Sequence, residues 1–154
     1  SWNETELLMF FVHPFLLQVG FEELNVRVYV NRPLKAVVHD VELSGLVDWM
    51  VSEGGTDPSH PYFFLTEFKK ERGHDSQPRA QVLAAMLTAQ AKNPDDQPLF
   101  GCYIIGRFWT FVYLSGHEYA FSEGFDSTKA EELEQIWRIL HETKRRIAER
   151  TGSV

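Results

Sequence analysis

The stretch Tyr62 to Glu71, Tyr-Phe-Phe-Leu-Thr-Glu-Phe-Lys-Lys-Glu, limits what this chain can fold into more than any other. Its first half is almost wholly apolar and its end is charged. Side chains alternate along a strand, so Phe63, Leu65, Glu67 and Lys69 are expected on one face. Tyr62, Phe64, Thr66 and Phe68 are expected on the other. Both faces start apolar, the pattern of a central strand covered on both sides. Glu67 and Lys69 then stand together where a buried sheet meets solvent, and an acid and an amine at that place call for a reason.

A chain of 154 residues, 44% apolar and 14% aromatic, reads as one domain over its whole length, with a sizeable core. A formal charge of -7 argues against nonspecific adhesion to nucleic acid over the whole surface, though not against a local basic groove. Two basic clusters, Lys69, Lys70 and Arg72 and then Lys144, Arg145 and Arg146, are candidates for such a groove. The single cysteine, Cys102, excludes an internal disulfide, fits a reducing cytosol and reads as a core filler. Leu7 to Leu17 is the longest apolar stretch, but it holds His13 and Pro14 and falls short of the roughly 20 residues that span a bilayer. No basic leader precedes it, so neither a membrane segment nor a signal peptide is expected, and a cytoplasmic location is.

Glu4 to about Val12 reads as a helix that Pro14 ends, kinks or restarts, with Gly20 as a stop. Asn25 to Val30 alternates as a half-buried strand, and Asn31-Arg32-Pro33 is expected to turn. Ala36 to Val51 is the next extended region, bending at Gly45. Its odd face carries Val41, Leu43, Val47, Trp49 and Val51, while Asp48 sits between Leu46 and Met50 on the even face. A carboxylate between apolar neighbours needs a cation, a metal or several donors to offset its lost water. Glu53 to Pro61 is a loop. Beyond the central strand, Ser76 is expected to cap a helix beginning at Pro78 and running to about Lys92, with Val82, Leu83, Met86 and Leu87 as its apolar stripe.

Phe100 to Ile105 and Arg107 to Leu114 read as a hairpin turning at Gly106, with a short third strand over His117 to Phe121. Trp109, Phe111 and Tyr113 share a face there, expected to pack as core rather than to stack on bases. Thr128 to Arg150 is a helix, with Thr128 and Glu131 matching a capping box. The six histidines show no metal-ligand spacing, and His39-Asp40 is expected to be a surface hairpin pair.

Neighbouring strands lie about 4.8 Å apart, so Asp48 and Glu67 can face each other across one gap. Two carboxylates so close repel unless a divalent ion lies between them. Magnesium suits, because it takes one or two carboxylates, keeps several waters and completes its shell on substrate phosphate. Lys69, on the same face, can orient a water or offset phosphate charge, so the chemistry expected is metal-assisted phosphodiester hydrolysis. The plainer reading leaves Glu67, Lys69 and Glu71 as a solvated strand tip with Asp48 paired to Lys69.

Gly45-Leu46-Val47-Asp48 and Glu67-Phe68-Lys69, followed by the helix that carries Gln81, resemble the PD-(D/E)XK, or restriction-endonuclease-like, nuclease superfamily. The resemblance implies an α/β fold with an αβββαβ core, a mixed sheet flanked by helices, and an additional, peripheral C-terminal helix. It implies magnesium, or manganese in its place, held by Asp48, Glu67 and the carbonyl of Phe68, with Lys69 as the catalytic lysine. Some branches add a glutamine on the following helix, which Gln81 matches, although Ala85 stands where that branch often has a tyrosine. Some also add a glutamate on the first helix, for which Glu4, Glu6, Glu22 and Glu23 are all candidates. The implied substrate is nucleic acid, DNA in preference to RNA, and many such enzymes cut both strands as homodimers. The alternative is a nuclease-fold module that no longer catalyses and serves as a binding domain.

Overall fold

The computed structural model describes residues 3–69 and 77–152, with the backbone alone at residues 4, 7 and 8. Ser76, Lys70, Glu71 and Arg72 lie outside the described residues, and with them the expected helix cap and part of one basic cluster. The fold is mixed α/β, built on a seven-stranded sheet in the order β1-β2-β3-β4-β5-β6, with β7 also against β5. The strands are β1 (Arg27–Val38), β2 (Val41–Gly54), β3 (Pro58–Lys69), β4 (Leu99–Ile105), β5 (Phe108–Ser115), β6 (Glu118–Phe121) and β7 (Phe125–Asp126). β3 and β4 are parallel, joined through helix α3 (Pro78–Lys92), and all other pairs are antiparallel.

Each face of the sheet carries its own core. On one side α3 packs Val82, Ala85, Met86 and Ala89 against Met50, Leu65, Leu99, Val112 and Leu114. On the other, α2 (His13–Val19) and α4 (Ala130–Thr151) cover Trp49, Phe64, Phe68, Cys102, Ile104 and Trp109. Phe21, Trp49 and Phe64 form a ring cluster with centroids 5.7 to 5.9 Å apart. The Trp49 indole N–H donates to His13 Nδ1 at 3.2 Å and ties the helix to the sheet. Cys102 is fully buried, and burial pushes its thiol well above the ordinary value, as befits a core filler. Among the described residues, no helix is long and apolar enough to cross a membrane.

Several local expectations are corrected. Asn31-Arg32-Pro33 does not turn: β1 runs through it, Asn31 taking φ +56 within the strand. Pro33 is tolerated because β1 is an edge strand, where a missing N–H breaks no ladder on the open side. The reversal falls at the expected hairpin pair His39-Asp40, both with positive φ, in a two-residue loop closing the Val38–Val41 pair. Ala36 to Val51 is therefore the end of one strand and most of the next. Little loop remains between β2 and β3, since β3 begins at Pro58.

Face alternation slips at the β2–β3 irregularity between Val51 and Ser52, so Phe63 joins Phe64 in one core while Tyr62 joins Leu65 in the other. Of the roles open to Pro14, it takes that of starting a helical turn, in the first turn of α2. α1 (Glu4–Leu7) passes through a π-helical turn, Leu8–Val12, directly into α2, and the wider turn accommodates a ring that would otherwise strike the preceding carbonyls. Gly20 closes it with φ +80.

In α3 Ala85 and Ala89 join Val82 and Met86 against the sheet while Leu87 faces solvent, which rotates the expected stripe by part of a turn. No capping box forms at α4. Thr128 lies upstream of the cap, with its N–H and hydroxyl donating to Asp126 Oδ1 at 2.9 and 2.6 Å. Nor is α4 peripheral, since Ile136, Leu140 and Ile147 are wholly buried in the core it shares with the sheet. Truncating Leu140 to alanine is expected to lower unfolding free energy by about 2–5 kcal/mol, measured by urea denaturation. A change below about 0.5 kcal/mol would show α4 to be an appendage.

Candidate active site

The β2–β3 ladder pairs Met50 with Leu65 and Trp49 with Thr66. One step further along the same register Asp48 comes opposite Glu67. On its other side the β1–β2 ladder skips the Asn31–Asp48 step, between the Val30–Trp49 and Arg32–Val47 pairs, where Asn31 is left-handed. Asp48 is thus released from regular pairing on both edges, and its carboxylate turns to the chain instead. Asp48 Oδ2 accepts the Phe68 backbone N–H at 3.0 Å.

Glu67 is 5% exposed, and its carboxyl hydrogen-bonds with that of Asp48. Burial pushes its pKa up to about 9, with the hydrogen bond and the negative charge of Asp48 adding to the rise and Lys69 opposing it. Burial and the neighbouring Asp48 carboxyl thus disfavour a negative charge on Glu67.

Asp48, Glu67, Lys69 and Gln81 all line one cavity of about 380 Å³, walled by Leu34 and Gly45 of the β1–β2 hairpin and floored by Ala85 and Thr88 of α3. The cavity lies at the carboxyl end of β3, beside the amino-terminal half of α3. Lys69 is half-buried there; its carbonyl accepts the Gly106 N–H at 2.9 Å, which anchors the strand end to the β4–β5 turn. The reversal that forms this hairpin wall falls at His39-Asp40, the exposed hairpin pair expected there, although it lacks the Asn-Gly or Asp-Gly signal.

The amino-terminal glutamates go elsewhere. Glu6 and Asn3 cap one another, with the Glu6 N–H donating to Asn3 Oδ1 at 2.9 Å and the Asn3 N–H to Glu6 Oε2 at 2.8 Å. Glu23 pairs with Lys144 at 2.8 Å, and Glu22 is exposed. None of these three lines the cavity. The side chain of Glu4 is outside the described residues. The second basic cluster is engaged too: Arg145 and Arg146 bind Glu142, Arg145 also binds Glu149, and α4 lies across the sheet from the cavity.

The donor set suits a hard divalent cation with an incomplete protein shell. Two carboxyls and a neighbouring backbone carbonyl offer oxygens only, and the remaining positions would fall to water and substrate, as magnesium prefers. A zinc centre needs three or four protein ligands, and among the described residues no group of three or more His, Cys, Asp or Glu gathers. No family model matches the chain, and no curated protein or solved structure matches it.

The raised pKa of Glu67 has a signed consequence for stability. The unfolded carboxyl loses its proton near the ordinary 4.5, the folded one near 9, so stability from this group is full below about 4.5 and falls as pH rises toward 9. Glu67→Gln removes that loss. Without added metal the variant is expected to match wild type in urea denaturation at about pH 4.5 and to exceed it by about 1–3 kcal/mol at about pH 8. Equal stability at both pH values would show that Glu67 is not held protonated.

Proposed function

We propose that this protein is a magnesium-dependent nuclease of the PD-(D/E)XK type, hydrolysing phosphodiester bonds of nucleic acid, DNA in preference to RNA. The observation that carries the reading is the meeting of the Asp48 and Glu67 carboxyls across β2 and β3, with Lys69 and Gln81 on the same cavity. The chain also runs helix, three strands, helix, strand through β4, with a mixed sheet, as that superfamily's core does.

Asp48, Glu67 and the Phe68 carbonyl would hold the cation, which when bound supplies Lewis acidity at the phosphodiester and lowers the pKa of the attacking water. Holding a cation would require the Glu67 carboxyl to be ionised, so its affinity for one would rise with pH. Lys69 places an ammonium beside the scissile phosphate, where it offsets the charge that develops and orients the nucleophile. Gln81 offers an amide N–H to the same oxygens from α3. Asp48, by accepting the Phe68 N–H, also fixes the strand end on which Glu67 and Lys69 stand.

Purified protein is expected to cleave DNA with magnesium or manganese and not with a chelator. Asp48→Ala and Lys69→Ala should each lower the rate by roughly 10²–10³-fold, and Lys69→Ala should retain manganese binding by calorimetry. Wild type inert on duplex, single-stranded and branched substrates, with no metal uptake, would leave the non-catalytic binding module in its place.

A further inference from the structure

α3 has a second concave flank. Gln81, Ala84, Ala85 and Thr88 line the cavity already described, whereas Arg79, Ala80 and Leu83 line a recess of about 460 Å³ with Gln77, Tyr119 and Phe121. At 100° per residue these two sets lie on either side of the buried Val82, Met86 and Ala89 stripe. Both open on the same face of the sheet. Tyr119 pairs with Leu114 and Phe121 with Val112, and both partners are buried in the α3-side core.

The recess has an unusual surface. Tyr119 is 55% exposed and meets Phe121 edge-on, with ring centroids 5.7 Å apart. The Arg79 guanidinium lies 3.9 Å from the centre of the Phe121 ring. Among the described residues no carboxylate pairs with Arg79, nor with Arg27 on β1, whereas Arg32, Arg107, Arg138, Arg145, Arg146 and Arg150 all have acidic partners. A guanidinium over a ring face, with no carboxylate partner among the described residues, beside an exposed aromatic face, is complementary to a nucleobase with its phosphate.

We infer that this recess, formed by Arg79, Tyr119 and Phe121, takes an unpaired base of the substrate strand, and that the protein acts on single-stranded or locally unpaired nucleic acid. The inference rests on the nuclease reading for its neighbour across the helix, and it adds the substrate class. A helix with its side chains is about 10–12 Å across, so a strand crossing the start of α3 from Lys69 to Tyr119 covers roughly three stacked nucleotides. Lys69 and Arg79 flank that path with positive charge, and the amino-terminal end of α3 between them carries the positive end of the helix dipole. A paired base keeps its faces inside the duplex stack and cannot reach Tyr119, whereas an unpaired one can.

The test uses the full chain without divalent metal and an oligothymidylate of about 12 nucleotides bearing one 2-aminopurine, with a duplex of equal length as comparison. The single strand is expected to bind at least about ten-fold tighter than the duplex, with the fluorescence of the analogue quenched by stacking. Tyr119→Ala should weaken single-strand binding about ten-fold, and Tyr119→Phe should restore it to within about two-fold. Arg79→Gln should weaken binding and lower its salt dependence by about one ion. Both side chains are exposed, so thermal melts should match wild type. Binding that is unchanged in Tyr119→Ala and Arg79→Gln, or a preference for duplex, overturns the inference. Tyr119-dependent binding by a protein that cleaves nothing with magnesium overturns the nuclease reading and leaves the recess standing.

Discussion

Two carboxyls that meet at the edge of a buried sheet are the constraint from which the rest of this molecule follows. Withdrawing even one carboxylate from water costs several kcal/mol, and placing a second against it adds repulsion at low dielectric. Glu67 avoids part of that cost through a carboxyl pKa pushed up by burial, and Asp48 avoids part by accepting the Phe68 N–H. Such an arrangement survives only where the surrounding strands cannot move apart. The two cores provide that rigidity: Trp49 and Phe64 lock β2 to β3 from one side while Met50, Leu65 and Met86 lock them from the other.

The central strand was readable from the sequence because its two apolar faces left no other place for it than the middle of a covered sheet. The β3–α3–β4 crossover and the β4–β5 hairpin were readable for similar reasons, through Pro78 at a helix start and Gly106 at a tight turn with φ +58. What failed were features set by backbone irregularity. Asn31-Arg32-Pro33 has the composition of a turn, yet cross-strand pairing with Trp49 and Val47 on either side carries the chain through it. Composition reports what a segment would do alone, and pairing overrides it. The Phe63 slip is of the same kind, since a residue inserted in one strand flips its neighbours without any mark in the sequence.

The convergence of Asp48, Glu67 and Lys69 on one cavity was more legible than the strand boundaries around it. Asp48, Glu67 and Lys69 were recognisable because each is a charge where the apolar pattern predicts none, and desolvation makes such positions costly unless they are used. Gln81 was found only through family resemblance. Nothing in its own surroundings marks it, because it is exposed on α3 and only the folded helix brings it to the cavity. Arg79, Tyr119 and Phe121 carried no signal at all. They come from a helix and a strand about forty residues apart, and an exposed tyrosine on a short edge strand is unremarkable until a guanidinium is seen lying on the ring beside it.

The net charge of -7 is compatible with an anionic polymer as substrate once the location of the cations is considered. Within a Debye length of about 8 Å in physiological salt, only nearby charges act strongly on a bound phosphate. Most of the positive side chains of α4 are internally neutralised by Glu142, Glu149, Glu23, Glu134 and Asp95, so that face offers little to a polyanion. Lys69 and Arg79 stand on either side of the first turns of α3, away from those carboxylates, next to the positive end of a helix dipole. An acidic exterior around one narrow positive track disfavours casual adhesion of duplex along the surface and leaves binding to depend on contacts made inside the track. A divalent cation between Asp48 and Glu67 would offset the negative charge that these carboxyls bring to that track. Metal and substrate would then favour each other's binding, each supplying the charge that the other lacks.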